Sequence, residues 1–261
     1  MHLLEMKNVT HFFGGLRAVC DLNLTFQGGE LMGLIGPNGA GKTTVFNLVS
    51  GFYRPTAGQI RFLDRDINGL RPHQVTALGI ARTFQSIRLW NSLSVFDNIC
   101  ASQHHQLGYG FLRSVLRTSG FVKSERRVKK TAEELMELLG IRQYAREFPK
   151  NLPYGLQRRV EIGRALALRP KLLMLDEPAA GMNPGEVGEL IESIRWIRDE
   201  FKLTIWLIEH HMRVVMGVCE TMKVLDFGET IAEGQPDEIR QNPRVIQAYL
   251  GEEEPPNARG I

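Results

Sequence analysis

Gly36-Pro37-Asn38-Gly39-Ala40-Gly41-Lys42-Thr43-Thr44 decides how this chain folds. The stretch fits G-x-x-x-x-G-K-[ST], a phosphate-binding loop. Before it, Glu30-Leu31-Met32-Gly33-Leu34-Ile35 is a short apolar run of the kind a buried strand makes. After it, Val45-Phe46-Asn47-Leu48-Val49-Ser50-Gly51 reads as the first turns of a helix stopped by a glycine. Strand, glycine-rich turn and helix are the context the motif requires. The chemistry follows from charge, because a triphosphate packs several negative charges into a small volume. Glycines let the backbone curl so that successive N–H groups point inward at phosphate oxygens. The helix that follows adds its unpaired N–H groups and the positive end of its dipole. In such a loop Lys42 reaches the β- and γ-phosphates, and Thr43 places a hydroxyl on Mg²⁺.

A chain of 261 residues holds one large domain or two small ones and is long enough to bury a sizeable core. A hydrophobic share of 43% with 23% charged residues places it among ordinary globular proteins. The net charge of +3 is too small to imply a nucleic-acid partner. Lys123-Ser124-Glu125-Arg126-Arg127-Val128-Lys129-Lys130 is locally basic and reads as a solvated helix face rather than a lipid or nucleic-acid patch. Cys20, Cys100 and Cys219 are odd in number, far apart and without a C-x-x-C pair, which argues for a reducing compartment. No run approaches the length needed to span a bilayer, and the N-terminus lacks a signal-peptide pattern. A cytoplasmic protein is expected, one that can still dock on a membrane protein.

Upstream of the loop, residues 3–10 and 18–26 have strand character, and Phe12-Phe13-Gly14-Gly15 reads as the turn between them. An exposed aromatic in that turn could stack on a nucleobase; a core aromatic is the ordinary alternative. Downstream, residues 58–64 look like another strand, followed by Arg82-Thr83-Phe84-Gln85-Ser86, where Gln85 alone would pass for a surface residue.

From about residue 89 to 168 strand signals vanish and helical periodicity takes over, with Val128, Ala132, Leu135, Met136 and Leu139 on one stripe and Gly140 at its end. This reads as a helical insertion in an α/β core. The segment 103–120 is looser, and its adjacent His104 and His105 do not make a metal site. Residues 151–157 read as a break, with a helix over 158–168 that must end before Pro170.

Lys171-Leu172-Leu173-Met174-Leu175-Asp176-Glu177-Pro178 is a wholly apolar strand that ends in two carboxylates. Such a strand is expected between layers of helices, with its C-terminal end at the crevice where open α/β sheets hold ligands. Asp176 suits a Mg²⁺ partner, and Glu177 a base or water-positioning group. Asn183 can cap the next helix, with Pro184 at its first position. Leu203-Thr204-Ile205-Trp206-Leu207-Ile208 is a further buried strand ending in Glu209-His210-His211. Residues 222–227 and 230–232 read as a hairpin, and Glu252-Glu253-Glu254-Pro255-Pro256 begins a tail, 251–261, expected to be flexible.

The order of these motifs resembles the ATP-binding subunits of ABC transporters over nearly the whole chain. Within that family the chain is most similar to the ATPases of branched-chain amino-acid importers (the LivG type). The cues are residues 36–46 as GPNGAGKTTVF, 82–85 as RTFQ, 179–184 as AAGMNP, and the ending Asn242-Pro243-Arg244-Val245-Ile246-Gln247-Ala248-Tyr249-Leu250-Gly251. The resemblance implies one P-loop NTPase (RecA-like) α/β domain over residues 1–250, with a mixed sheet and a helical subdomain inserted at about 89–168. It implies ATP and Mg²⁺ as the bound groups. Phe13 then matches the aromatic that stacks on adenine. Gln85 matches the glutamine that touches Mg²⁺ and the attacking water, Asp176 the second metal carboxylate, Glu177 the catalytic glutamate and His210 the γ-phosphate histidine. It further implies a second ABC ATPase subunit, identical or different, whose nucleotide is completed in trans by Gly155 and its neighbours. Integral membrane permeases are implied, with an extracytoplasmic solute-binding protein acting through them, and a place on the inner face of the cell membrane. Transport of another solute (urea, a different amino acid, or lipid export), a soluble ABC ATPase outside transport, and an ATP-gated assembly module are the readings that stay open.

The signature segment departs from the pattern. Relatives carry Leu-Ser-Gly-Gly-Gln or Leu-Ser/Ala-Tyr-Gly-Gln, whereas here it is Leu152-Pro153-Tyr154-Gly155-Leu156. Pro153 has neither a hydroxyl nor a backbone N–H to offer a phosphate, and Leu156 replaces an amide. His211 stands where relatives often carry Asp.

Overall fold

In the computed structural model, which describes residues 2–106 and 119–250, two sheets and a set of helices surround two cores. The readings of residues 107–118 and of the tail 251–261 lie outside the described residues. The chain opens with β1 (Leu4–Phe13) and β2 (Leu16–Phe26), then β3 (Leu31–Ile35) and helix α1 (Lys42–Val49). β4 (Ala57–Phe62), β5 (Arg65–Asp66), α2 (Pro72–Leu78) and β6 (Ile80–Arg82) follow, then α3 (Val95–Ser102), α4 (Ser119–Leu138) and α5 (Tyr154–Ala167). β7 (Leu172–Asp176), α6 (Pro184–Phe201), β8 (Thr204–Ile208) and α7 (Met212–Val218) come next. The end is β9 (Thr221–Asp226), β10 (Glu229–Gly234), α8 (Pro236–Gln241) and α9 (Pro243–Leu250).

The larger sheet runs β10-β9-β3-β8-β7-β6 and is parallel except for its edge strand β10. A parallel sheet must be covered on both faces, and the alternation of its strands shows how this is done. Leu31, Ile35, Leu173, Leu175, Ile205 and Leu207 point to one core, which is walled by helical residues such as Ala132, Leu135, Ile162 and Ile194. Met32, Leu34, Leu172, Met174, Trp206 and Ile208 point to the other. There the cover is α1 and the antiparallel sheet β2-β1-β4-β5, so only one face of β7 lies against helices of the insertion side. Trp206 is wholly buried in that second core, with Phe26 and Phe46 ring centroids 5.1 and 4.9 Å away.

Three local readings change on the structure. β1 continues through Phe13, so the turn is confined to Gly14 and Gly15. β6 and α2 lie between residue 64 and Thr83, where the sequence suggests no element; pairing of Ile80 and Ala81 with Leu172 and Leu173 makes the strand. Helix α5 starts at Tyr154, not after Gln157, since Pro153 at φ −54°, ψ 152° is a ready N-cap and Tyr154, Gly155 and Leu156 form the first turn. Elsewhere the caps follow the residues. Asn183 accepts from the Gly185 and Glu186 amides while Glu186 reaches back to the Asn183 N–H, a capping box at the head of α6. Gly140 follows α4 at φ 65°. No helix among the described residues is long and apolar enough to cross a membrane.

Candidate nucleotide site

The C-terminal ends of β3, β6, β7 and β8 deliver four loops to one edge of the parallel sheet. The first is the phosphate-binding loop. Gly36 and Gly41 have φ of 148° and 99°, and a Cβ there would sit 2.0 Å from the Leu225 carbonyl oxygen and 2.3 Å from that of Ala18. Only glycine fits both positions, which explains the spacing of the motif. The Ala40 carbonyl accepts from the Gly228 amide at 3.0 Å, so the β9–β10 turn braces the loop from outside. Lys42 is buried, and its Nζ donates to the Gly36 and Pro37 carbonyls at 2.6 and 2.7 Å. The ammonium is thereby folded over the loop's mouth. Asn38, Gly39, Ala40, Gly41, Lys42, Thr43 and Thr44 line a cavity of about 590 Å³ together with Phe13, Gln85 and Glu177.

Phe13 stands at the rim of that cavity, half exposed, with its ring braced edge-on by His11 at 4.7 Å and Tyr53 at 5.2 Å. At the far end three predicted side chains converge. Gln85 Nε2 donates to Glu177 Oε2 at 2.7 Å, and His210 Nδ1 lies 3.7 Å from the same oxygen. Glu177 holds its position at φ 45°, a left-handed backbone that a glutamate rarely adopts. Its amide is tied to the Ile208 carbonyl at 2.9 Å, so neighbouring strand ends fix the strained residue.

Asp176 sits one residue back and is nearly fully buried. Its Oδ2 takes a 2.6 Å ion pair from Arg82, which also donates to Asn47 at 2.7 Å. Burial pulls the Arg82 guanidinium below its ordinary range, against the hydrogen bond and charge of Asp176. The sequence reading missed Arg82; its signal was an arginine at the end of a strand adjacent to the carboxylate strand. Glu209 was missed too. It is wholly buried, and its oxygens accept from the Ala179, His210 and His211 amides at 2.8, 3.0 and 3.0 Å. One carboxylate thus fixes both the loop after Glu177 and the placement of His210.

Gly155 is not brought to this cavity. It lies at the start of α5 beside a separate pocket of about 250 Å³ shared with Pro153, Leu156, Met182 and Leu190. A Cβ on Gly155 would meet nothing within 4 Å, so nothing inside this chain requires a glycine there. His211 precedes α7 without a side-chain cap bond and stacks obliquely on His210.

The model of the ABC transporter family matches residues 19–180, and that of the branched-chain amino acid ATP-binding cassette transporter matches residues 229–255. The chain is 44% identical to the high-affinity branched-chain amino acid transport ATP-binding protein LivG of Escherichia coli (strain K12), covering 96% of this chain and 98% of that protein. It is 38% identical to the lipopolysaccharide export system ATP-binding protein LptB of the same strain, covering 97% of this chain and 99% of that one. Among solved structures, the ADP conformation of an ATP-binding cassette of an ABC transporter superposes with a TM-score of 0.83 at 29% identity, covering 96% and 99% of the two chains. On its strand-end loops, its two-sheet core and these matches, the chain belongs to the ABC transporter family, as one of its ATP-binding, ATP-hydrolysing cassettes.

Proposed function

We infer that this cassette energises uptake of branched-chain or closely related amino acids. In this reading it is bound to the inner face of the membrane through permease subunits and paired with a second cassette. The observation that carries the enzymatic half is the 2.7 Å bond between Gln85 and Glu177 in the cavity that holds Lys42 and Thr43. The solute rests on the match over residues 229–255 together with the 44% identity. Overall similarity alone does not choose, since a lipopolysaccharide export system ATP-binding protein is 38% identical.

ATP would lie with its adenine on Phe13 and its phosphates in the loop 36–44. Lys42 would leave the Gly36 and Pro37 carbonyls for the β- and γ-phosphates. Glu177 would orient or deprotonate the attacking water, held in place by Gln85, while Lys42 and His210 meet the charge that develops in the transition state. Thr43, Gln85 and Asp176 would hold Mg²⁺ through oxygen, the hard donor it prefers, and the Gln85 amide oxygen is left for it because the nitrogen serves Glu177. Asp176 already gives one oxygen to Arg82, so it would have the other oxygen to offer the ion. When bound, Mg²⁺ would supply positive charge that offsets the charge of the phosphates.

The test is leucine uptake in a strain lacking the gene, complemented with wild type or with Glu177→Gln. Import restored by wild type and absent with the variant supports the reading. Growth and uptake unchanged by the deletion, with ATPase activity intact in the purified complex, would move the solute elsewhere.

A further inference from the structure

Arg158 is 1% exposed, although it carries the most hydrophilic of side chains and sits in the second turn of α5. Its guanidinium joins two parts of the chain, its own helix and the Phe84–Gln85 segment. One nitrogen donates to the Phe84 carbonyl at 2.9 Å and to Glu161 at 2.6 Å. The other donates to the Gln85 carbonyl at 3.3 Å and to the Tyr154 hydroxyl at 3.1 Å. Glu161, also buried, accepts from the Phe84 amide at 3.2 Å, so the ion pair grips the Gln85 segment by both a carbonyl and an N–H. Burial pushes the Glu161 carboxyl up, against the opposing charge of Arg158.

These contacts form one unbroken line. Glu177 is bonded to the Gln85 side chain, the Gln85 backbone to Arg158, and Arg158 to Tyr154 in the segment that this chain turns away from its own cavity. Stability does not account for it. A buried ion pair is commonly matched or bettered by apolar side chains of like volume. Here the Arg158 Nε is in addition buried without a partner, which costs free energy. Lysine could not replace it, since a single ammonium cannot span acceptors on two elements in one plane.

We propose that Arg158, held by Glu161, is a positioning residue that ties the placement of Gln85 in this chain's nucleotide cavity to the placement of Tyr154 at the outward face of α5. This rests on the ATPase reading and not on the identity of the solute.

The experiment measures kcat and KM for ATP and the melting temperature of the complex purified with its membrane subunits, with the Glu177→Gln complex as the background rate. Variants are Arg158→Lys, the double apolar replacement Arg158→Met with Glu161→Met, and Tyr154→Phe. Arg158→Lys should lower kcat by about tenfold or more while KM stays within about twofold, because Arg158 does not line the cavity. The double variant should melt within about 3 °C of wild type, in keeping with apolar replacement of buried pairs, and still be slow. Tyr154→Phe should lose about two- to threefold in kcat, the share of a single hydroxyl bond. If the double variant regains stability and rate together, or if Arg158→Lys turns over at the wild-type rate, the ion pair is structural and the proposal fails. Leucine import is not read, so a wrong solute would leave this result as it stands.

Discussion

The helices that begin at Lys42 and at Tyr154 both start without a side-chain cap, the first after Gly41 and the second after Pro153. Each therefore presents free amides and a positive dipole end. Around the first the chain has built walls: a looped backbone, a buried lysine, two strand-end carboxylates and an aromatic rim. Around the second there is no looped backbone and no buried lysine, and the pocket beside it mixes Leu156, Ile162, Met182 and Leu190 with Arg159, Glu186, Glu189 and Ser193. The difference teaches that a helix N-terminus becomes a phosphate site only when its surroundings are completed. The first gathers a lysine, two strand-end carboxylates and an aromatic around its amides, and the second does not have this set.

The comparison breaks most directly at Glu177. Glu177→Gln should lower ATP turnover by about 10²–10⁴-fold and leave binding of a fluorescent ATP analogue intact. Lys42→Ala should instead abolish detectable analogue binding at micromolar protein. A Glu177→Gln protein that hydrolyses at near wild-type rate would remove the carboxylate from its role. A second cut goes through the walls. Arg82→Ala leaves Asp176 buried and unpaired and should cost about 3–5 kcal/mol, read by urea denaturation. A loss under about 1 kcal/mol would mean that solvent or a neighbour takes over the pairing. A third removes the loop's geometry. Gly41→Ala must hold φ 99° and clear the Ala18 carbonyl, so it should weaken nucleotide binding while Gly155→Ala, with open space around it, leaves the fold's melting temperature unchanged.

Much of the walled site was legible in the sequence because its chemistry is local. Loop, carboxylate pair and histidine each follow an apolar strand, and strand ends of a parallel sheet gather at one edge. What stayed hidden depends on partners far along the chain. Arg82 is paired with Asp176, 94 residues later, and Glu209 reaches back to the Ala179 amide. β6 is three residues long and exists because β7 pairs with it. The start of α5 was read too late because Tyr-Gly-Leu-Gln looks like a break, whereas Pro153 fixes a φ that lets the helix begin at once.

The smallest effect belongs to the unwalled end. Pro153→Ser would place a hydroxyl at the N-cap of α5, where none now accepts a bond. Such a cap is worth about 0.5–2 kcal/mol. Against it, the unfolded chain gains freedom when proline is lost, about 0.4–1 kcal/mol. The two nearly cancel, so the melting temperature should move by less than about 4 °C. Leu156→Gln adds an amide at the same face and gives up part of a contact with the helical core. Any change in rate of the double variant is therefore a statement about phosphate chemistry and not about folding. A preorganised donor to developing charge is worth up to about 3 kcal/mol, roughly a hundredfold. The Tyr154 and Gly155 amides already stand at that end of the helix, so the added groups should give a rise of only a few fold in ATPase rate of the assembled complex. The rise should appear at the site completed by this chain's signature, leaving unequal nucleotide sites if the partner cassette is a different protein. A rate that is unchanged or lower would mean that the helix end alone already supplies what the phosphate needs, and the two helix starts would then differ less than their walls suggest.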